Sequence, residues 1–248
     1  MITTILFDLD GTLCDLEIRY INPFKQTILE FRPDITNQEI NEILDQLWVM
    51  LGKKSSYMIF KIVWTIASKL DLNLIDRVKF LKILKSRYSE HKKIFEFLEG
   101  AERTLEYCLK HYKVGIVTSA FREDLKYGYR DLALLNQVDV VIDIDSVNHP
   151  KPNPEPINMA LEQLQSKPEE TIFIGDLPTD IISGKGAMVK TIAFEGTLGT
   201  YTQHLLEQQK PDLQVKNHEE LLKILLDMTS DNYYSNLPNL RPVPMNEP

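Results

Sequence analysis

Cysteine is scarce in this chain: Cys14 and Cys108 are the two in 248 residues. They stand far apart with no metal-ligand spacing, which excludes a disulfide framework and points to a reducing compartment. Long apolar runs are missing as well. The nearest, Met58 to Ala67, is interrupted by Lys61 and falls short of the roughly 18 residues of a membrane span. The N-terminus lacks a basic start followed by an apolar stretch, so no signal peptide and no membrane partner are expected, and the expected location is cytoplasmic. Positive charge is in deficit: 28 Lys+Arg stand against 36 Asp+Glu, a net charge of -8. That balance argues against a nucleic-acid partner, because phosphate contact needs a basic surface. Hydrophobic residues at 43% and charged residues at 26% are an ordinary globular mixture.

Charge is unevenly placed. Residues 15–98 carry 14 basic and 11 acidic side chains, whereas the remainder carries 14 and 25. Two units of different electrostatic character are therefore expected.

The outer part of the chain alternates short apolar runs with helical patterns. Ile5-Leu6-Phe7 leads to Asp8, Val114 to Val117 leads to Thr118, and Val138 to Ile142 precedes Lys151. Thr171 to Ile174 leads to Gly175-Asp176, and Thr191 to Phe194 is a fifth run. Continuous apolar runs fit strands covered on both faces. Helical patterns over 101–111, 155–165, 179–188 and 219–226 make βα units, hence a Rossmann-like α/β fold with a parallel sheet.

Residues 15–98 read as helices. Thr36-Asn37-Gln38-Glu39 is a capping box, and apolar residues at Ile40, Ile43, Leu44, Leu47 and Leu51 follow on one face, with Gly52 as a stop. Met58 to Leu70 carries a second stripe, and Leu74, Val78, Leu81 and Tyr88 a third, each read as packing surface. The expected organisation is a discontinuous sheet domain, 1–14 plus 99–228, with a helical cap over 15–98. The last segment, 229–248, holds Pro238, Pro242, Pro244 and Pro248 and is expected to be a mobile or surface-draped tail.

The chemistry gathers at the strand ends, where open parallel sheets bind ligands. Asp8, Asp10, Thr118, Ser119, Lys151, Asp176 and Asp180 all fall on that edge. Two unit charges 4 Å apart repel by about 4 kcal/mol at an effective dielectric of 20. Four carboxylates in one small site thus call for a hard divalent cation, and all-oxygen ligation suits Mg²⁺. Carboxylates with a lysine and Mg²⁺ point to phosphoryl chemistry. Asp8 can attack phosphorus, and Asp10 can protonate the leaving oxygen and then activate water. Lys151 and the Thr118 hydroxyl can stabilise the phosphoryl oxygens, with backbone N–H groups near Gly11 and Ser119 assisting. For each residue taken alone a plainer role exists: turn, loop hydroxyl, solvated lysine or helix cap.

Four segments in order carry a resemblance: Phe7 to Leu13, Val117-Thr118-Ser119, Lys151 to Pro154, and Gly175 to Asp180. They resemble the four motifs of the haloacid dehalogenase (HAD) superfamily, and more narrowly its phosphoglycolate phosphatase-like group with a helical cap between the first and second motifs. The resemblance spans roughly residues 1–228. It implies Asp8 as nucleophile, Asp10 as general acid and base, and Thr118 and Lys151 on the phosphate. It implies Mg²⁺ on the Asp8 carboxylate, the Asp10 backbone carbonyl and Asp176, with Asp180 direct or through water. It also implies a strand order 5-4-1-2-3 and a mobile cap that excludes water. Leu16, Glu99 and Met188 depart from the group's usual serine, proline and glycine.

The implied activity is a Mg²⁺-dependent phosphatase for a small phosphorylated metabolite, with phosphoglycolate as the group default. A phosphomutase of the beta-phosphoglucomutase type, a pyrophosphatase or nucleotidase, and a non-catalytic phosphate-binding module remain alternatives. Asp10 disfavours dehalogenation and phosphonate hydrolysis, whose versions of the first motif differ in this superfamily. Lys53 and Lys54 are either a positive lid that selects anions or a solvated turn. Arg122 is either a contact for a substrate carboxylate or second phosphate, or a surface helix arginine. Monomer and homodimer stand equally open.

Overall fold

The computed structural model describes residues 1–48, 64–128 and 132–228. The chain divides into two compact units: Met1–Asp15 with the described chain from Glu96, and Leu16–Phe95 between them. Lys53, Lys54, Gly52, most of the second cap stripe and the proline-rich tail lie outside the described residues.

The first unit is built on a parallel sheet. Its strands are β1 (Thr4–Phe7), β2 (Lys113–Val117), β3 (Val140–Ile142), β4 (Thr171–Gly175), β5 (Lys190–Phe194) and β6 (Leu213–Val215). Their order is β3-β2-β1-β4-β5-β6, every pair parallel. The expected order 5-4-1-2-3 is therefore present with one more strand outside β5. Among the described strands β1 is central and wholly buried, which is why Ile5 to Phe7 reads as an unbroken apolar run. β6 is short, and its first two residues are only half-buried. Leu213-Gln214-Val215 thus offers neither a long apolar run nor a turn-bounded alternation to a reader of the sequence.

The inserted unit is helical among its described residues. It opens on a π-helical turn, Glu17–Ile21, and continues with α1 (Asn22–Phe31), α2 (Asn37–Trp48), a helical stretch over 64–69 and α3 (Leu74–His91). The capping box forms reciprocally: the Thr36 N–H donates to Glu39 Oε2 at 2.9 Å and the Glu39 N–H donates to Thr36 Oγ1 at 3.2 Å. The third apolar stripe is corrected in part. Leu74 and Val78 are exposed, Leu81 and Tyr88 are half-buried, and the residue of α3 that is fully buried is Phe80. Phe80 packs on Phe24 and Phe31 of α1, with ring centroids 6.0 and 5.6 Å apart. An aromatic cluster marks the buried face of α3.

The chain leaves and re-enters the first unit at adjacent points. The Asp15 N–H donates to the Glu96 carbonyl at 2.8 Å, and the Leu98 N–H donates to the Leu13 carbonyl at 2.9 Å. Cys14 bridges Phe97 between them.

Around the sheet stand α4 (Ala101–His111), α5 (Arg122–Gly128), α6 (Glu155–Leu164), α7 (Pro178–Gly186), α8 (Gly199–Gln208) and α9 (His218–Met228). One face of the sheet meets α6 in a core of Leu6, Val117, Ile142, Ile157, Leu161 and Phe173. Among the described residues no helix is long and apolar enough to cross a membrane.

Met188 follows α7 with φ +60° and is 78% exposed. A left-handed conformation costs an L-residue about 1–2 kcal/mol, and glycine is free of that cost. The exposed side chain contributes little packing in return. Met188→Gly is therefore expected to raise unfolding stability by about 0.5–1 kcal/mol, after the larger entropy of an unfolded glycine is subtracted. Urea denaturation of the two proteins checks it.

His218 opens α9 and is 1% exposed, its ring 4.7 Å from that of Phe194 on β5. Burial pushes its pKa down from 6.5 to about 4, partly opposed by the hydrogen bond to the Thr12 carbonyl. Between those values the unfolded chain takes up a proton that the folded protein refuses. His218 therefore contributes stability above pH 6.5 that is lost as pH falls toward 4, up to about 3 kcal/mol. Stability curves of wild type and His218→Gln, compared across that window, are expected to diverge by that amount, the wild type falling faster on acidification.

Candidate active site

Asp8 is the first residue past β1, and its N–H donates to the Ile174 carbonyl of β4 at 2.8 Å. Thr118 follows β2, with its N–H on the Ile142 carbonyl at 2.9 Å. Asp176 follows β4, and Asp180 lies in the first turn of α7. The parallel ladder thus sets all four at one edge of the sheet. Lys151 comes to the same place from the loop after β3. Its buried ammonium donates to Asp8 Oδ1 at 2.6 Å, to Asp180 Oδ1 at 2.6 Å and to the Val117 carbonyl at 3.1 Å. All three ammonium hydrogens are engaged.

Carboxylate oxygens of Asp8, Asp176 and Asp180 all lie within 4.8 Å of one another, and all three residues are buried. Asp180 also accepts the Leu177 N–H on Oδ2 at 2.9 Å, so it caps α7 while facing Lys151. Asp176 Oδ1 accepts from the Thr12 hydroxyl at 3.2 Å. Asp176 Oδ2 is buried without a hydrogen bond. Asp10 is half-buried and stands outside this trio; its backbone bridges Cys14 in the turn after β1.

The electrostatics are those of a site short of positive charge. Burial pushes the Asp8 carboxyl up to about 6, against the pull of Lys151 and with a further push from Asp180. Burial, then Asp8 and Asp180, drives Asp176 well above the usual carboxylate range. Burial alone would lower the Lys151 pKa, but Asp180 and Asp8 outweigh it and hold the ammonium well above its ordinary value. Three carboxylates and one ammonium leave two negative charges, and a divalent cation balances them. Mg²⁺ bonds oxygen at about 2.1 Å, so its ligands lie at most about 4.2 Å apart. The spread of the trio is close to that, and the orphaned Asp176 Oδ2 offers the lone pair such an ion would take. The donor set fits a hard cation.

Thr118 is buried, and its Oγ1 accepts the Ala120 N–H at 3.0 Å, leaving the hydroxyl hydrogen to donate elsewhere. Ser119 is exposed beside it. Arg122 opens α5. Its guanidinium grips Asp143 through Nε at 2.8 Å and Nη2 at 3.2 Å, and donates to Ser146 Oγ at 3.0 Å. Asp143 is buried, which would raise its pKa, yet Arg122 and Ser146 hold it below the usual range. The charge of Arg122 is thus occupied in tying the segment after β2 to the segment after β3.

Comparison with known proteins agrees with this architecture. The haloacid dehalogenase-like hydrolase family model matches residues 5–194. Pyrophosphatase PpaX of Bacillus cereus (strain Q1) is 34% identical over 228 residues, 92% of this chain and 98% of that protein. PpaX of Bacillus thuringiensis (strain Al Hakam) is 33% identical over the same length. Among solved structures, haloacid dehalogenase-like family protein SP0104 from Streptococcus pneumoniae superposes with a TM-score of 0.64 at 23% identity, covering 90% of this chain and 98% of that one. A beta-phosphoglucomutase candidate from Thermotoga maritima gives 0.70 at 21% identity, over 91% and 99%. At those identities the two structures speak for the fold alone. The chain belongs to the haloacid dehalogenase-like hydrolases.

Gly11 shows how tightly the turn after β1 is drawn onto Asp176. Its φ is +90°, and a Cβ there would stand 2.1 Å from Asp176 Oδ2. Backbone strain and overpacking together are expected to cost Gly11→Ala about 3 kcal/mol. Urea titration measures it; unchanged stability would mean that Asp176 has room to withdraw.

Proposed function

We propose that this chain is a Mg²⁺-dependent phosphohydrolase of small phosphorylated metabolites, working through an aspartyl-phosphate on Asp8. The observation that carries the reading is the Lys151 ammonium, locked between Asp8 and Asp180 beside a buried carboxylate with an unused oxygen.

Lys151 stabilises Asp8 as a carboxylate and holds it at the end of β1. Asp8 attacks phosphorus; the new P–O bond forms as the bond to the leaving oxygen breaks, and Asp10 gives its proton to that oxygen. Asp10 then takes a proton from water, whose oxygen attacks phosphorus. The bond to Asp8 breaks, and inorganic phosphate and the free carboxylate result. Thr118 donates its hydroxyl, Ser119 its N–H, and Lys151 its charge to the phosphoryl oxygens as they gain negative character. Asp8, the Asp10 carbonyl and Asp176 would hold Mg²⁺, with Asp180 direct or through water. When bound, the ion supplies the positive charge that lets an anionic nucleophile and an anionic substrate meet.

The helical unit Leu16–Phe95 is proposed as the cap that selects the non-reacting part of the substrate. Phosphoglycolate-like esters are the default of the resembled group. The curated relatives, named pyrophosphatase, put inorganic pyrophosphate beside them as the first compound to try.

Phosphate release from pyrophosphate, phosphoglycolate, hexose phosphates, nucleoside monophosphates and an aryl phosphate, with Mg²⁺ or with chelator, tests the reading. Metal-dependent turnover is expected, and Asp8→Asn is expected to lower kcat by more than about 1000-fold. Undiminished activity in Asp8→Asn would overturn the mechanism. Isomerised hexose phosphate in place of free phosphate would make the protein a mutase. Phosphate binding without turnover would make it a binding module.

A further inference from the structure

We propose that His218 is a positioning residue for the proposed site: its imidazole anchors the Thr12 carbonyl, and Thr12 in turn orients the Asp176 carboxylate. The inference deepens the phosphohydrolase reading and rests on it.

His218 and Thr12 are 206 residues apart in sequence, and His218 Nε2 lies 2.7 Å from the Thr12 carbonyl oxygen, in a buried contact. A carbonyl only accepts, so Nε2 carries the hydrogen and the ring is the neutral Nε2–H tautomer. Nδ1 is then a bare acceptor, and among the described residues it has no hydrogen-bond partner. A buried acceptor without a partner is a liability that a leucine of similar size would avoid. The polar contribution of the imidazole at this position is therefore the one bond to Thr12. Phe194 packs against the ring, the two planes tilted by 44°.

The turn it anchors needs anchoring. It carries Asp8 and Asp10, it bends through Gly11 at φ +90°, and it faces two further carboxylates that repel Asp8. Thr12 is the residue of that turn whose hydroxyl reaches Asp176, at 3.2 Å. Gly196 comes close to the same turn: a Cβ there would stand 2.6 Å from the Gly11 carbonyl oxygen. Thr12 thus has its carbonyl held by α9 and its hydroxyl committed to the acidic cluster. Releasing the first loosens the second. An outer residue that aims a metal-ligating carboxylate typically changes metal affinity by about 10–100-fold when removed.

The test compares wild type, His218→Leu and His218→Gln as full chains. Glutamine keeps an N–H that can reach Thr12; leucine keeps only the volume. Calorimetric titration with Mg²⁺ is expected to show affinity about tenfold weaker in His218→Leu and within about twofold of wild type in His218→Gln. With an aryl phosphate, His218→Leu is expected to lose about tenfold in kcat with KM little changed, and His218→Gln to recover most of it. Nitrogen-15 spectra of the wild-type ring are expected to show the Nε2–H tautomer at pH 7. Wild-type Mg²⁺ affinity in a folded His218→Leu, a glutamine variant no better than leucine, or an Nδ1–H ring would each overturn the inference. If His218→Leu does not fold, the glutamine variant and the wild-type ring spectrum decide. If wild type releases no phosphate, the phosphohydrolase reading fails, and the metal titration and ring spectrum still decide whether His218 anchors the turn.

Discussion

The site is organised by one ammonium group. Lys151 places its three hydrogens on Asp8, Asp180 and the Val117 carbonyl, so that β1, β2 and α7 meet at a single nitrogen. Buried charge is tolerable only when it is paired and hydrogen-bonded, and breaking such a pair leaves an uncompensated ion that destabilises a protein by about 3–5 kcal/mol. Here the pairing is incomplete by design of the residue set. The lysine offsets one charge of three, which holds the buried Asp8 in place while one oxygen of Asp176 stays without a hydrogen bond. In the proposed function, the remaining imbalance would draw a divalent cation and, through it, a phosphorylated guest. Fold and chemistry share a cause: the same parallel ladder that buries Ile5 to Phe7 delivers Asp8 to the edge where Lys151 and Asp176 arrive from other strands.

Much of this was legible because it is local. Strands buried on both faces announce themselves as continuous apolar runs, and the polar residue at the end of each run marks the working edge. Asp8, Thr118 and Asp176 could be named on that ground, with Lys151 and Asp180 from the segments that follow; the structure bonds Lys151 to Asp8 and Asp180 and brings Asp176 close beside them. What escaped reading depends on distant partners. β6 is short and half-buried, so its identity comes from β5 beside it. The buried face of α3 is chosen by Phe24 and Phe31 of another helix, and Leu74 and Val78 point elsewhere despite their spacing. Arg122 kept two meanings in sequence; its bond to Asp143 is a tertiary fact. His218 gave no signal at all, since a histidine at a helix start is silent until its carbonyl partner is known.

The candidate site is therefore short-range in its residues and long-range in its support. Arg122 ties together the segments that follow β2 and β3, the latter running on to Lys151. His218, 206 residues further along the chain than Thr12, bonds the turn that follows Asp8 and Asp10. Substitutions well away from the carboxylates in sequence can thus reach them through two or three hydrogen bonds.

The paired crossings at Asp15–Glu96 and Leu13–Leu98 have an evolutionary corollary. Because the two ends of the helical segment are stitched side by side, its loop-closure entropy is set at the stitch and grows only slowly with the number of residues beyond it. The intervening sequence is thereby free to lengthen, shrink or diverge while the sheet keeps its register. If the helical segment selects substrate as proposed, selectivity and chemistry become heritable separately.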